Sequence, residues 1–470
     1  MWDEGTGGGA LLAIDADTWA SLRVLMRAGV ANQRASIECR LQAKSQHLGF
    51  ALFTGLDPLL ELLETLRVEE GDSEFLRATG LFDAGDAARV GPLAFQCDIA
   101  AAAEGSVVFP GEAVVTIDGP LWQAQLVANL ACRMLADATI AATRTARLRS
   151  VAPSLDLLDV GGARSLSAST AAMRARACYL AGATATTSLA AHRAYHVPLR
   201  ARQTDLARSW SSSGRDSRFH WVQHAPSESI VRFEGGAAAA AELAAAYAAG
   251  PLASESASIE VPYEQFVEAE ATLIREFARA GLLAPLLYIG DGVDELLVRD
   301  LSCESSHLAG VCVDPESGES LLSLAAELVA IEEGGRWAPR MSALGSLFAS
   351  SDPGKKLLVR YRDADGVPIA DVAHATSERM QAPTSVELVL RDSGRRIHVA
   401  AAKGDPLLAF VMRGGRRTAQ TRPLIEVRNF AESELARVAA PQRRLRHPSP
   451  YPVGLSRSLY DEKTKLYGQR

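Results

Sequence analysis

The sequence predicts an α/β protein, and three observations carry that reading. Between about residues 151 and 313, short apolar runs alternate with segments of helical periodicity. Before them, helix-like and strand-like stretches mix; after about residue 357 the pattern turns strand-rich. Strands that alternate with helices build a parallel sheet, because each helix carries the chain back across the sheet face.

In the first part, 18–29 reads as a helix with Leu22, Leu25 and Met26 on one face, and 35–40 alternates like a strand. A strand or turn at 49–56 leads into an apolar-periodic helix at 59–66. The β-like runs 107–109 and 114–117 flank Pro110-Gly111-Glu112, which predicts a hairpin-type turn. Residues 121–149 form one long helical stretch with almost no breakers. In the middle part the apolar runs are 157–160, 184–190, 197–201, 229–233, 256–261, 286–289 and 308–313. Helical segments at 168–181, 237–249, 263–280 and 295–301 lie between them. About seven such repeats predict an irregular (β/α) barrel. Further on, 356–366 reads as strand then turn, 386–390 and 397–401 as strands, 428–438 as a helix, and 447–454 as an extended Pro-rich segment. The expected division is a loose lead-in at 1–10, an α/β domain at 11–150, a barrel at 151–345, and a segment at 346–470 that completes the α/β domain.

Composition bounds the function. Of 470 residues, 48% are hydrophobic and 22% charged, the profile of a globular chain with a large core. A net charge of −7 offers no general basic face, so neither nucleic acid nor a membrane surface is an expected partner. The six cysteines, Cys39, Cys97, Cys132, Cys178, Cys303 and Cys312, show no C-x-x-C spacing, so reduced thiols are expected in place of a disulfide frame or zinc site. No apolar run is expected to span a membrane. The acidic, Gly-rich N-terminus lacks the basic start of a signal peptide, and a cytoplasmic location is expected. Gly7-Gly8-Gly9 lacks the Lys-Ser/Thr of a phosphate loop, and His220 and His224, four apart, read as surface residues with no metal expected. The basic run 437–446 reads as a solvated helix.

Several motifs carry a resemblance. Phe53-Thr54-Gly55-Leu56 precedes a Leu/Glu-rich helix; Glu104-Gly-Ser-Val-Val-Phe-Pro-Gly-Glu112 runs on to Gly119-Pro120-Leu121-Trp-Gln-Ala-Gln125. Thr139 to Arg147 follows, then Asp352-Pro-Gly-Lys-Lys356 with Arg360-Tyr361 and Asp363, Glu426-Val-Arg428, and Tyr451-Pro-Val-Gly-Leu-Ser456. In this order, from about residue 20 to 465, they resemble the nicotinate phosphoribosyltransferase family. The resemblance implies an open-faced α/β domain plus an irregular barrel of the type II phosphoribosyltransferase kind. It implies a homodimer with sites near the subunit interface. It implies a reaction that joins nicotinate to phosphoribosyl pyrophosphate, giving nicotinate mononucleotide in NAD salvage. ATP hydrolysis through a phosphorylated histidine drives that reaction. Magnesium and ATP are therefore the implied cofactors if the family reaction survives.

The loops that carry this chemistry differ from the family pattern. The "EFGxRR" segment reads Asp159-Val-Gly161-Gly-Ala-Arg164; Gly161 and Arg164 remain as candidate substrate contacts. The next loop, Ala181 to Ser188, keeps small and hydroxyl residues, with Thr186 as candidate. A gap-free match from Pro198 places Asp205 where the family has its histidine; a gapped match places Arg208 there. The "vDTYDT" strand end reads Val231-Arg232-Phe233-Glu234, and "RlDSGD" falls at Glu260 to Gln265. Asp294 and Glu295 match the end of "SgDLDE", where they also suit a helix start. The phosphate cradle "FGVGT" reads Ala309-Gly310-Val311-Cys312-Val313, leaving Gly310 and Val311 as candidate phosphate contacts. "YKL" becomes Ala326-Glu327-Leu328, a charge reversal.

Three readings follow. The first is a non-catalytic or scaffold homologue, with the frame kept and the site replaced. The second is an enzyme of altered substrate or reaction, with Asp205, Arg164, Arg200, Arg202 and Arg232 as a new polar set facing an anion; convergence of these arginines on Asp205 in one cavity favours it. The third is a working nicotinate phosphoribosyltransferase, which requires His192, His196 or His220 beside a phosphate site. Expected partners are a second copy of the chain and a protein or small anionic ligand.

Overall fold

The computed structural model describes residues 14–67, 70–86, 95–163, 165, 167–211, 213–251, 256–290, 292–314, 320–342, 346–378 and 385–469. The expected lead-in at 1–10 and the candidate Arg164 lie outside them. The chain forms two compact units. One holds the residues up to Ile140 together with those from Ser320 onward; the other is Ala141–Glu319. The barrel unit therefore ends earlier than the expected 345.

The first part of the chain contains α1 (Ala16–Arg27), β1 (Arg34–Ala43), β2 (Ala51–Leu52), α2 (Leu56–Thr65), α3 (Glu70–Ala78), β3 (Asp98–Ala102), β4 (Val107–Val108), β5 (Ala113–Pro120) and α4 (Leu121–Val151). Pro110 to Glu112 does not close a hairpin: β4 pairs with β2, whereas β5 pairs with β1 and β3. The turn is drawn onto β1 instead, with the Gly111 amide donating to the Leu41 carbonyl and the Leu41 amide to Glu112, both at 2.8 Å. Helix α4 is long and apolar enough to cross a membrane, which the sequence reading did not expect. Two-thirds of its apolar window (67%) is buried, and Trp122, Leu126, Leu130 and Leu135 join the core of the first unit.

The second unit contains β6 (Asp156–Asp159), α5 (Ala168–Leu180), β7 (Ala185–Thr186), α6 (Leu189–Tyr195), α7 (Asp205–Ser209), α8 (Gly214–His224), β8 (Val231–Arg232), α9 (Ala237–Ala248), β9 (Ser258–Pro262), α10 (Phe266–Arg279), β10 (Leu286–Gly290), α11 (Glu295–Glu304) and β11 (Leu308–Val313). The strand expected over 184–190 stops at Thr186, because Ser188 caps α6 by accepting from the Ala191 amide. The six strands run parallel in the order β7-β6-β11-β10-β9-β8. Residues 198–203 join the two edges. Leu199 pairs with Thr186 and Arg202 with Ile230, both in parallel. The ring so closed is the curled parallel sheet that the strand–helix alternation predicts. Its interior is only partly apolar, with Leu158, Ala185, Ile230, Tyr288 and Cys312 clustered there.

The chain then returns to the first unit with β12 (Leu322–Glu333), β13 (Arg336–Pro339), β14 (Lys356–Arg362), β15 (Pro368–Ala375), β16 (Val386–Leu390), β17 (Arg396–Val399), β18 (Lys403–Pro406), β19 (Leu408–Arg413), β20 (Arg416–Arg417), α12 (Leu424–Ala436), β21 (Val453–Leu455) and α13 (Arg457–Gly468). A seven-stranded sheet runs β13-β12-β1-β5-β3-β19-β20, and a six-stranded one β17-β16-β21-β15-β14-β18. Ala326, Glu327 and Leu328 lie within β12, opposite Cys39, Glu38 and Ile37 of β1. The first unit is thus completed by the C-terminal part.

Candidate functional site

Parallel strands of a barrel present their C-terminal ends to one face, where loops gather reactive side chains. Asp205 opens α7, whose start Thr204 caps by accepting from the Ala207 amide at 3.2 Å. That turn holds the Asp205 carboxylate 79% exposed. Arg232, the last residue of β8, donates to it at 2.8 Å, and Arg208 of α7 at 3.3 Å. Arg208 also grips Glu234 with both terminal nitrogens, at 3.0 and 2.7 Å. That hydrogen bonding lowers the pKa of Glu234 and raises that of Arg208. With Arg218, these residues bound a cavity of about 290 Å³.

Beneath them Arg202 reaches Glu260 of β9 at 2.7 Å, and the Arg232 Nε lies 3.7 Å from the same oxygen. Glu260 is nearly sealed, its side chain only 3% exposed. A Cβ on Gly290 would sit 2.5 Å from that carboxylate, so the glycine makes room for it. Arg202, Arg232 and Asp205 are therefore brought together as the sequence reading grouped them, with Glu260 as the joint. Arg200 is not part of this group. It points to the opposite end of the strands, donating to Tyr288 at 2.6 Å, Ser258 at 2.7 Å and Asp156 at 3.4 Å. Asp156 and Ser258 are the first residues of β6 and β9. Burial pushes the Tyr288 hydroxyl up to about 12.

Thr186 and Gly161 meet at a residue the sequence reading passed over. Thr186 donates to one oxygen of Asp159 at 2.6 Å, and the Gly161 amide to the other at 3.2 Å. Asp159 ends β6 and is 1% exposed; burial outweighs both hydrogen bonds and pushes its carboxyl up to about 6. A lone Asp before a Gly pair gives no sequence signal of such burial.

The remaining candidates have structural surroundings. Gly310 and Val311 lie inside β11 and pair with β6 and β10 on either side, not at an open turn beyond the strand. Gly310 faces the Tyr288 ring, where a Cβ would come within 2.3 Å, so this glycine serves aromatic packing. Asp294 is exposed and caps α11 by accepting from the Leu297 amide at 2.8 Å. The His192 ring nitrogen lies 2.9 Å from the Val197 carbonyl, His196 ends α6 in a left-handed conformation, and His220 stacks on His224 along α8. No histidine lines the described cavity. Among the described residues, no group of three or more His, Cys, Asp or Glu side chains could hold a metal ion. Asp205, Glu234 and Glu260 each face a guanidinium, so these acids do not fit a magnesium ion.

Comparisons with known proteins agree with this architecture. Residues 20–132 match the model of the nicotinate phosphoribosyltransferase N-terminal domain, and 355–463 that of its C-terminal domain. Both matched segments lie in the first unit. A nicotinate phosphoribosyltransferase of Mycobacterium tuberculosis is 33% identical over 149 residues, 32% of each chain. The chain thus spans about a third of that relative's length. The human nicotinate phosphoribosyltransferase is 24% identical over an alignment covering 92% of each chain. Its crystal structure superposes with a TM-score of 0.72 at 22% identity, covering 96% of this chain and 99% of that one. A nicotinate-nucleotide pyrophosphorylase from Pyrococcus furiosus gives 0.66 at 13% identity, covering 93% and 97%. These two likenesses show a shared fold.

Proposed function

Since this chain belongs to the nicotinate phosphoribosyltransferase family, we propose that it is a member that no longer performs the family reaction and serves as a binding or scaffold protein. The observation that carries this reading is the state of the barrel-end charges. Asp205, where the gap-free match places the family's histidine, is held by Arg232 and by Arg208, where the gapped match places it. Arg202 and Arg232 converge on Glu260, and Arg208 on Glu234. Three guanidiniums thus face three carboxylates of the same unit. A pyrophosphate entering here would have to displace carboxylates already hydrogen-bonded to those arginines, and it would meet their negative charge. A carboxylate between two guanidiniums is also a weak nucleophile, because its negative charge is stabilised where it stands.

The test is a product assay with nicotinate, phosphoribosyl pyrophosphate, magnesium and ATP at high protein concentration. The reading expects no nicotinate mononucleotide above the protein-free control, and none from Asp205→His. Steady product formation by the unaltered chain overturns it. On this reading the partners are a second copy of the chain and a protein or small anion, in the cytoplasm.

A second reading, an enzyme of altered substrate or reaction, is favoured by one specific observation. Arg232 and Arg208 do converge on Asp205 at the edge of a cavity of about 290 Å³. A thermal-shift screen with nicotinate, nicotinamide, phosphoribosyl pyrophosphate, ATP and nicotinate mononucleotide separates the two. Binding that Arg232→Gln abolishes, followed by conversion of the ligand, would establish the second; binding of a ligand other than phosphoribosyl pyrophosphate, without conversion, leaves the first.

A further inference from the structure

A second set of charges lies in the first unit. Asp352 accepts from Lys463 at 2.7 Å and Arg391 at 2.9 Å, and Arg40 stands 3.2 Å away. Arg40 also pairs with Glu38 at 3.1 Å and Glu327 at 2.9 Å, and Lys356 with Glu38 at 2.9 Å. The side chains of Glu38, Arg40, Asp352, Lys356 and Lys463 are all at most 4% exposed. Arg391 and Glu327 sit nearer the rim. Four cations therefore meet three anions, and one positive charge is left over. Glu38, Arg40, Thr116, Asp352, Lys356 and Arg391 surround a void of about 20 Å³.

A buried net charge is costly unless a counter-charge accompanies it. Lys356 already satisfies Glu38 and the carbonyls of Asp352 and Gly354, and Lys463 the Ser350 carbonyl, so the protein's own acceptors are in use. The void takes one water-sized sphere and excludes a polyatomic anion. A water would fill it but would not neutralise it. We propose that this void is a binding site for a single monatomic anion of the chloride or bromide kind, held between the Arg40 and Arg391 guanidiniums. Glu38, Arg40, Lys356 and Arg391 lie in the segments that match the family's N- and C-terminal domain models.

The test uses the full chain, dialysed free of halide. Thermal unfolding is followed at constant ionic strength in sodium chloride, sodium bromide and sodium gluconate. The proposal expects the melting temperature to rise by a few degrees, saturably, in chloride and bromide but not in gluconate, which is too large. A crystal grown in bromide is expected to show an anomalous peak inside the void. Arg391→Met removes the excess charge at the rim and is expected to abolish the halide-dependent rise. Equal melting curves in chloride and gluconate overturn the proposal, as does a full halide shift in Arg391→Met. If that variant does not fold, the anomalous map of the unaltered chain decides. Bromide only at the molecular surface counts against the site.

Discussion

Arg202 and Glu260 meet at 2.7 Å inside the barrel, from the segment that closes the ring and from the strand after β8. The pair occupies space that a barrel of this kind otherwise fills with apolar side chains. Replacing Glu260 takes away the buried carboxylate on which Arg202 and Arg232 converge. Glu260→Gln is therefore expected to lower stability by about 3 kcal/mol, read from urea unfolding. A change below about 1 kcal/mol would mean that solvent reaches the pair.

Asp205 behaves differently because it stands in solvent. Its bonds to Arg232 and Arg208 are screened, and Asp205→Ala is expected to cost less than about 1 kcal/mol. The same variant is expected to leave product formation at the background level. A large loss of any activity found in the unaltered chain would identify Asp205 as a catalytic group.

Asp159 makes a prediction in pH. Its carboxyl is raised from the usual 3.8 to about 6 by burial, so the folded state binds its proton more tightly than the unfolded chain. Below about pH 4 both states hold the proton and burial costs nothing. As pH rises through 4 to 6, the unfolded chain releases the proton first, and stability falls by about 3 kcal/mol from this group. Asp159→Asn is expected to flatten that part of the stability–pH curve. An unchanged slope between pH 4 and 6 would show that Asp159 is already ionised in the folded barrel.

Gly310 supports the other end of the barrel. A Cβ there would press on the Tyr288 ring and on the Asp156 carbonyl, 2.8 Å away. Gly310→Ala is expected to cost about 1–3 kcal/mol through overpacking. It should also disturb the Arg200–Tyr288–Asp156 bonds, visible as altered near-ultraviolet circular dichroism. If the variant is as stable as the original, the ring has room to move.

Much of the barrel was legible in the sequence. The runs around 157–160, 256–261, 286–289 and 308–313 became strands within a residue or two, since buried parallel strands are short and continuously apolar. What local pattern missed was set by long-range pairing. Leu322–Glu333 is rich in Ala, Leu and Glu and has no strand signature, yet it pairs along the length of β1. Pro110 to Glu112 has hairpin chemistry, but buried Glu112 faces Arg360 at 3.3 Å and the turn docks on Leu41. At the site, Arg202, Arg232 and Asp205 could be grouped from sequence. Their acceptor Glu260 could not, because pairing across the ring depends on which strands become neighbours. Proximity in sequence places Arg200, two residues before Arg202, with them, but its partners Ser258 and Asp156 begin their strands and hold it at the far end.

The arginines at the barrel end are bound to acids of their own unit. Titration calorimetry with magnesium phosphoribosyl pyrophosphate tests it most directly. No saturable heat is expected up to millimolar ligand, and none for inorganic pyrophosphate. Saturable micromolar binding that Arg232→Gln weakens at least tenfold would contradict it, since those guanidiniums would then be available to the ligand.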